Sequence, residues 1–425
     1  MAINTPKSYR NQVMYSVYVR NHTPEGTFQA LRRDLGRIKS LGTDIIWLMP
    51  IHPIGKVARK GSLGSPYAIS DYRAVNPEYG TLEDFKALVD DIHALGMKCI
   101  IDVVYNHTSP DSWLVNNHPE WFYHKPDGSF GNHVGDWTDI VDLDYEQKEL
   151  WDYQIETLKM WAEIVDGFRC DVAPLLPMAF WQKAREEVEK VSPGCFWLSE
   201  SVEPGFIQYL RSQGLVAHTD SEVLEVFDAA YDYDIWGTFK AYLEGSAPLS
   251  AYAEAVNGQE SLYPENYVKL RYLENHDQDR AAHIIPDEKS LLNWTAFLYF
   301  QKGMTLLFGG QEASTAHRPD LFGKDDVDWS GADLSDFLRR LAQLKRDPIF
   351  TDSAYHVTAL PGDILLATHK RGAERLVGIF AAGGKPGQAD VALADGEYIN
   401  LITDRPVQVT GGKLIVEEDP IILRI

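Results

Sequence analysis

Arg169 and Asp171 stand two residues apart in Gly167-Phe168-Arg169-Cys170-Asp171, just after the apolar pair Ile164-Val165. In an extended strand, residues i and i+2 project to the same side. The arginine and the aspartate then share one face, and Cys170 takes the other. A cation fixed beside a carboxylate favours its ionised form, and an ionised carboxylate is what a covalent nucleophile requires. Such a pair serves equally well as a plain structural ion pair. The chemistry therefore turns on whether other acids arrive at comparable places.

Three other apolar runs deliver them. Lys98–Val104 leads through Asp102 into Tyr105-Asn106-His107. Phe196-Trp197-Leu198-Ser199 ends at Glu200. Val268–Leu273 leads into Glu274-Asn275-His276-Asp277. One carboxylate past a strand fits a loop or a helix cap. Four acid-bearing ends, with Arg169 and two Asn-His pairs among them, fit a site. The reaction that uses several carboxylates without an obligatory metal or cofactor is glycoside hydrolysis, which needs one carboxylate ionised and one carboxylic acid protonated. Asp171 reads as the nucleophile. Glu200 has an apolar approach that raises a carboxyl pKa, which suits a general acid that later acts as base. Asp277 is a third acid, able to hold substrate hydroxyls, and His107 and His276 are candidate hydroxyl partners. His93, His218 and His356 read as structural.

Those ends need a frame. Candidate strands are Tyr15–Val19, Asp44–Met49, Lys98–Val104, Gly167–Asp171, Phe196–Glu200, Val223–Phe227, Val268–Leu273 and Thr305–Phe308. Continuous apolar runs such as Ile45-Ile46-Trp47-Leu48 fit a parallel sheet covered on both faces. Helical spacing joins Leu31, Leu35, Ile38 and Leu41 ahead of Gly42. It joins Phe85, Leu88, Val89, Ile92 and Leu95 between a Thr81 cap and Gly96. Further helices are expected over Glu146–Glu163, Ala179–Val191, Leu291–Gln301 and Leu334–Arg346. Eight strands alternating with helices predict an α/β fold, a (β/α)8 TIM barrel. A doubly wound open sheet is the alternative, but no GxGxxG follows any strand.

Two stretches break the rhythm. Residues 105–140 are rich in Trp, Tyr and Phe among Gly, Asn, Asp and His, and read as a short subdomain inserted after strand 3. Residues 347–425 change to short strand-like runs, Tyr355–Ala359, Ile364–His369, Leu376–Ala381 and Pro420–Ile425, and read as a C-terminal antiparallel β-sandwich. The barrel is then assigned to 1–104 and 141–346.

Composition narrows the partners. The 425 residues carry a formal net charge of -22 and 12% aromatic side chains. That charge excludes nucleic acid and anionic membranes as natural partners, since both require clustered basic surface. No run is long and apolar enough to span a membrane, and Met1–Arg10 lacks the apolar stretch of a signal peptide. Cys99, Cys170 and Cys195 are expected as free thiols in a reducing cytoplasm. Neither CxxC nor HExxH occurs, so zinc is not indicated. No feature specifies an oligomeric state.

Taken together, these segments resemble the alpha-amylase family, glycoside hydrolase family 13. Its four motifs stand here as Asp102–His107, Gly167–Asp171, Glu200 with its apolar approach, and Asn275-His276-Asp277. Gly42–Pro50, Ser65-Pro66-Tyr67 with Asp71-Tyr72, and Gly309-Gly310-Gln311-Glu312 also match. The resemblance implies retaining chemistry on alpha-1,4-glucosidic bonds of starch-type glucans or maltooligosaccharides. It implies Asp171 as nucleophile, Glu200 as acid/base and Asp277 as transition-state stabiliser. It further implies that Arg169, His107 and His276 contact the reacting sugar, that Asp102 supports Arg169, and that Tyr67 stacks on the ring. Two features depart from the family. Many members follow the nucleophile strand with a Lys-His pair, where this chain has Pro174-Leu175. Asn106 matches a calcium ligand, and Asp142 and Asp144 could add oxygens, but a hard cation wants six or more. No cofactor is otherwise implied. The competing readings are a 4-alpha-glucanotransferase working through the same intermediate, and a non-catalytic glucan-binding relative. Intact Asp171, Glu200 and Asp277 weigh against the second.

Overall fold

The computed structural model describes residues 4–425. Eight parallel strands close into a barrel: Val13–Val17, Ile45–Leu48, Lys98–Val103, Gly167–Cys170, Phe196–Ser199, Ala229–Tyr231, Lys269–Arg271 and Met304–Phe308. Each neighbours the next in sequence, and the eighth pairs with the first. The strands are short and almost wholly buried. Their side chains therefore read as unbroken apolar runs rather than alternating ones.

Seven of the eight expected strands lie where the sequence places them. The sixth does not. Within Val223–Phe227, residues up to Val223 close a helical turn, Asp220–Val223. Glu222 Oε2 accepts from both the Thr219 N–H at 2.7 Å and the Thr219 hydroxyl at 2.8 Å, which fastens the start of that turn. Val223 and Phe227 are buried four residues apart, a helical spacing. The strand itself is Ala229-Ala230-Tyr231, whose two alanines carry little β-propensity.

The expected helices form with their ends moved by a few residues, as in Lys148–Ala162 and Met178–Glu189. Thr81 caps Leu82–Ala94 and Asp84 returns the bond to the Thr81 N–H, a complete capping box. Helices Pro204–Ser212, Tyr233–Leu243 and Leu249–Leu262 are additional. The insertion after the third strand is pinned at its base by antiparallel pairing of His107–Thr108 with Val141–Asp142. Beyond the barrel, two four-stranded antiparallel sheets pack face to face. Ile364, Val377, Ile379, Val409, Leu414 and Leu423 fill the space between them. All three cysteines are buried and free. Among the described residues no helix is long and apolar enough to cross a membrane.

The fourth and fifth strands approach unusually closely at Gly167. A Cβ there would lie 2.3 Å from the Phe196 carbonyl oxygen. Gly167 therefore lets the strand carrying Arg169 lie against the strand leading to Glu200. We expect Gly167→Ala to cost about 1–3 kcal/mol, the usual penalty for forced overpacking. The measurement is a urea midpoint that falls with an unchanged slope.

Candidate active site

Backbone ladders set the acids. The Asp171 N–H bonds the Val103 carbonyl at 2.9 Å, and the Glu200 N–H bonds the Cys170 carbonyl at 3.0 Å. Each carboxylate thus stands one residue past its strand, held by the last rung. Asp277 is set differently. The side-chain carbonyl of Asn275 accepts from the Asp277 and Gln278 N–H groups at 2.9 and 3.1 Å. The Asn275 amide in turn donates to the Tyr233 hydroxyl.

In the register of the third and fourth strands, Asp102 faces Arg169. One guanidinium then serves three carboxylates. Arg169 Nη1 lies 2.8 Å from both Asp102 Oδ1 and Asp171 Oδ1. Nη2 lies 2.8 Å from Glu200 Oε1, an ion pair by distance that is off the N–H direction of a hydrogen bond. Arg169 is fully buried, with its guanidinium 5.2 Å from the Trp47 ring and 5.6 Å from the Tyr67 ring.

One cation cannot offset three buried anions. Burial raises Glu200 to about 8 against the pull of Arg169, and the nearby Asp171 charge raises it further. Burial likewise raises Asp171 to about 7 and Asp102 to about 6, again opposed by Arg169. This corrects the sequence expectation that Arg169 keeps Asp171 at an ordinary low value. With so little water at the site, desolvation outweighs a shared cation. The order is still the one sought, with the proton held most tightly on Glu200. Asp277 goes the other way, down to about 2. Desolvation pushes it up, and His276, 3.0 Å away, together with Arg169 and Arg318, outweighs that. Its side chain is 42% exposed in the cleft, so solvent screens part of this effect.

Asp171, Glu200, Asp277, Tyr67, His107 and His276 line one cavity of about 310 Å3. Every residue assigned from the sequence to catalysis or sugar contact is in that cavity or behind it, with Asp102 and Arg169 forming the rear. Tyr67 stacks on His276 at 5.3 Å between centroids, and its hydroxyl reaches Asp102 at 3.1 Å. Burial lowers His107 to about 4, so it meets a ligand neutral. Glu274 is not part of the site. It is tied to Arg280 and the Ala281 N–H, both at 2.6 Å. Glu312 is likewise spent on Tyr15, Arg37 and the Gly310 N–H.

Lys60, Trp137, Asp139, Val172 and Phe322 also line the cavity and were not singled out for it from the sequence. Only Trp137 had a signal, the aromatic run of the insertion. Val172 is left-handed, with φ of 35°, and its N–H donates to Glu200 Oε2 at 2.8 Å. A β-branched residue in that region is strained.

The oxygens around Asn106 that the sequence offers for calcium are engaged with donors of the protein itself. Its amide donates to Asp142 Oδ1, and Asp142 Oδ2 accepts from the His133 N–H at 2.7 Å. Asp144 is occupied by the Glu146 N–H and the Gln147 side chain. Burial raises Asp142 to about 7, against the pull of the His133 N–H and the Asn106 side chain. Among the described residues no three His, Cys, Asp or Glu side chains converge as a metal site.

The sequence model of the alpha-amylase catalytic domain matches residues 6–127 and 110–352. The chain belongs to the alpha-amylase family. The bacterial alpha-amylase C-terminal domain matches residues 356–423. The fold is similar to a solved alpha-amylase from Lactobacillus plantarum, with a TM-score of 0.97 and 46% identity over 99% of this chain and 100% of that one. It is also similar to the noncanonic maltogenic alpha-amylase AmyB of Thermotoga neapolitana, with a TM-score of 0.87 and 31% identity over 98% of this chain and 99% of that one. An alpha-1,4-glucan:maltose-1-phosphate maltosyltransferase of Rhodospirillum rubrum is 33% identical over 59% of this chain and 36% of its own length. The chain thus spans about a third of that relative's length.

The charge coupling within the cluster has a direct consequence. Replacing the Asp171 anion by the neutral amide of Asp171→Asn removes a repulsion that holds the proton on Glu200. Glu200 should then titrate below its value of about 8. Isotope-edited infrared spectroscopy of the glutamate carboxyl band reads this, and an unchanged or higher value would refute the coupling.

Proposed function

We propose that this alpha-amylase-family chain is a retaining glycosidase that cleaves alpha-1,4-glucosidic bonds of maltooligosaccharides or starch-type glucans. The observation that carries the reading is the shared grip of Arg169 on Asp171 and Glu200 in a cavity also lined by Asp277. Carboxyls held by two nitrogens of one guanidinium stay close, as in the ~5–5.5 Å pair of retaining enzymes rather than the wider, water-admitting inverting pair.

The steps follow from the groups. Arg169 occupies Asp171 Oδ1, and the other carboxylate oxygen attacks the anomeric carbon. Glu200 gives its proton to the glycosidic oxygen as that bond breaks, and the leaving sugar departs. The ionised Asp277, held low beside His276, offsets positive charge on the sugar ring in the transition state. Glu200, now a carboxylate, takes a proton from water, whose oxygen displaces Asp171 and restores the original anomeric configuration. Neutral His107 and the His276 ring exchange hydrogen bonds with sugar hydroxyls, and Tyr67 offers a ring face.

Transfer to a second sugar in place of water is the alternative outcome of the same intermediate. It is favoured by the likeness to a protein named as a maltosyltransferase. Reducing ends counted during digestion of maltoheptaose separate the two. Hydrolysis raises them steadily, whereas transfer redistributes chain length with little rise.

The nucleophile must be ionised and the acid protonated. Activity therefore falls as pH drops through the Asp171 range, about 7, and falls again as pH rises through the Glu200 range, about 8. The expected kcat/KM profile is a narrow bell whose limbs belong to the coupled cluster. In Glu200→Gln the alkaline limb should vanish. The rate on maltooligosaccharides should drop ~10²–10⁴-fold and recover on aryl glycosides whose leaving group needs no proton. Asp171→Asn should remove ~10⁶-fold of turnover. Full activity in that variant, measured by stopped product assays, would end the assignment.

A further inference from the structure

Three loops in the wall of the cavity are tied to one another. Lys60 follows the second barrel strand, Asp139 lies in the insertion after the third, and Phe322 follows the eighth. All three line the cavity that holds Asp171, Glu200 and Asp277. Lys60 Nζ lies 3.0 Å from Asp139 Oδ1, and the Asp139 side chain is only 5% exposed. The same ammonium is 6.0 Å from the centre of the Phe322 ring. The Leu63 and Gly64 N–H groups both donate to the Phe322 carbonyl, at 2.8 and 3.2 Å. Gly61 seats directly on Phe322, where a Cβ would lie 2.6 Å from the Phe322 Cβ. The far side of the loop is fixed as well, since the Lys56 N–H donates to Asp111 at 2.8 Å. Three loops from different strands are thus joined into one strap along the wall of the cavity.

Barrel order says which side this is. The strands run first, eighth, seventh, sixth, fifth, fourth, third, second around the ring. The strap is built on the second, third and eighth, an arc that spans the first and is centred between the first and second. The fifth, which carries Glu200, lies diametrically opposite the first, on the far side of the ring from the strap. If Glu200 is the proton donor of the reaction proposed above, the leaving sugar sits on its side. The strap then faces the other direction, toward the non-reducing end of the chain that remains on Asp171. A cavity of about 310 Å3 is at the small end of the ~300–1,000 Å3 typical of ligand sites, which suits a short glycosyl segment.

We infer that the Lys60–Asp139 pair is a specificity strap that stops the glucan at its non-reducing end, so that the enzyme removes short units from chain ends instead of cutting inside long chains. The inference rests on the retaining reading. Lys60 and Asp139 act by closing space. Neither touches the reacting atoms.

The test compares maltoheptaosides that have a free non-reducing end with ones whose terminal 4- and 6-hydroxyls are blocked by an acetal, with products mapped from a reducing-end label. The native enzyme should cut the free substrate near its non-reducing end. It should cut the blocked one slower by ~10–200-fold, the discrimination a pocket exerts against an added group. Lys60→Ala and Asp139→Ala should narrow that ratio and move the first cuts to inner bonds, and Lys60→Arg should keep the native pattern. Asp139 is nearly buried, so Lys60→Ala and the native ratio suffice if Asp139→Ala does not fold. Equal native rates on both substrates would overturn the strap and leave the retaining reading standing. So would variants that raise KM on every substrate without moving the cut. Failure to cleave either substrate would remove the retaining reading and the strap together.

Discussion

A single guanidinium lies buried among three carboxylates, and the upper rim of the barrel is organised around that imbalance. Arg169 is wholly buried, as is Asp102, and Asp171 and Glu200 are nearly so. Removing such ions from water costs several kcal/mol each, and their attraction recovers it only when geometry is excellent. The geometry here is fixed by parallel-strand register, which sets Arg169 beside Asp102, and by the last ladder bonds, which set Asp171 and Glu200. The residual repulsion is relieved by a proton retained within the cluster near neutral pH. A structural arginine could be satisfied by one acid. Three acids on one arginine make proton position the variable, and a glycosidase site needs control of that variable.

The surroundings serve the same constraint. Trp47, Tyr67 and Tyr231 surround the Arg169 guanidinium at 5.2–5.6 Å. Aromatic faces of this kind tolerate a cation while excluding water. Exclusion of water is what lifts Asp102, Asp171 and Glu200 together. Asp277 escapes the lift because His276, Arg169 and Arg318 outweigh its desolvation. Acids from four strand ends thereby divide into a proton-holding set and one permanently ionised member.

Much of this was legible in the sequence because it depends on short-range order. Buried parallel strands write themselves as apolar runs, and their ends carry the polar residues that must face a ligand. Hence Asp102, Arg169, Asp171, Glu200 and Asp277 could be placed from spacing alone, and the barrel from strand count. What spacing cannot convey is where desolvation prevails. Arg169 beside Asp171 reads as a cation lowering an acid, and only the depth of the site reverses the direction. Two buried alanines cannot announce a strand either, which is why Ala229–Tyr231 was hidden behind the more apolar Val223–Phe227. Lys60 and Asp139, far apart in sequence with no local signal, meet only through loop packing.

The segment after Asp171 departs from the family pattern. A polar pair expected there is replaced by Ala173-Pro174-Leu175, a short 3-10 turn. Leu175 and Val172 pack against Val202, Ile207, Leu210 and Ala217, an apolar cluster separate from the main core. That packing holds Val172 in a left-handed conformation worth about 1–3 kcal/mol of strain, and the strained backbone points its N–H at Glu200 Oε2. The turn carries no charged side chain and presents a rigid backbone donor, the Val172 N–H, to Glu200. Glu200 is consequently fixed at both oxygens, one by Arg169 and one by Val172. Both contacts favour the carboxylate and fix its orientation, whereas burial, with the charge of Asp171, is what keeps the proton on Glu200.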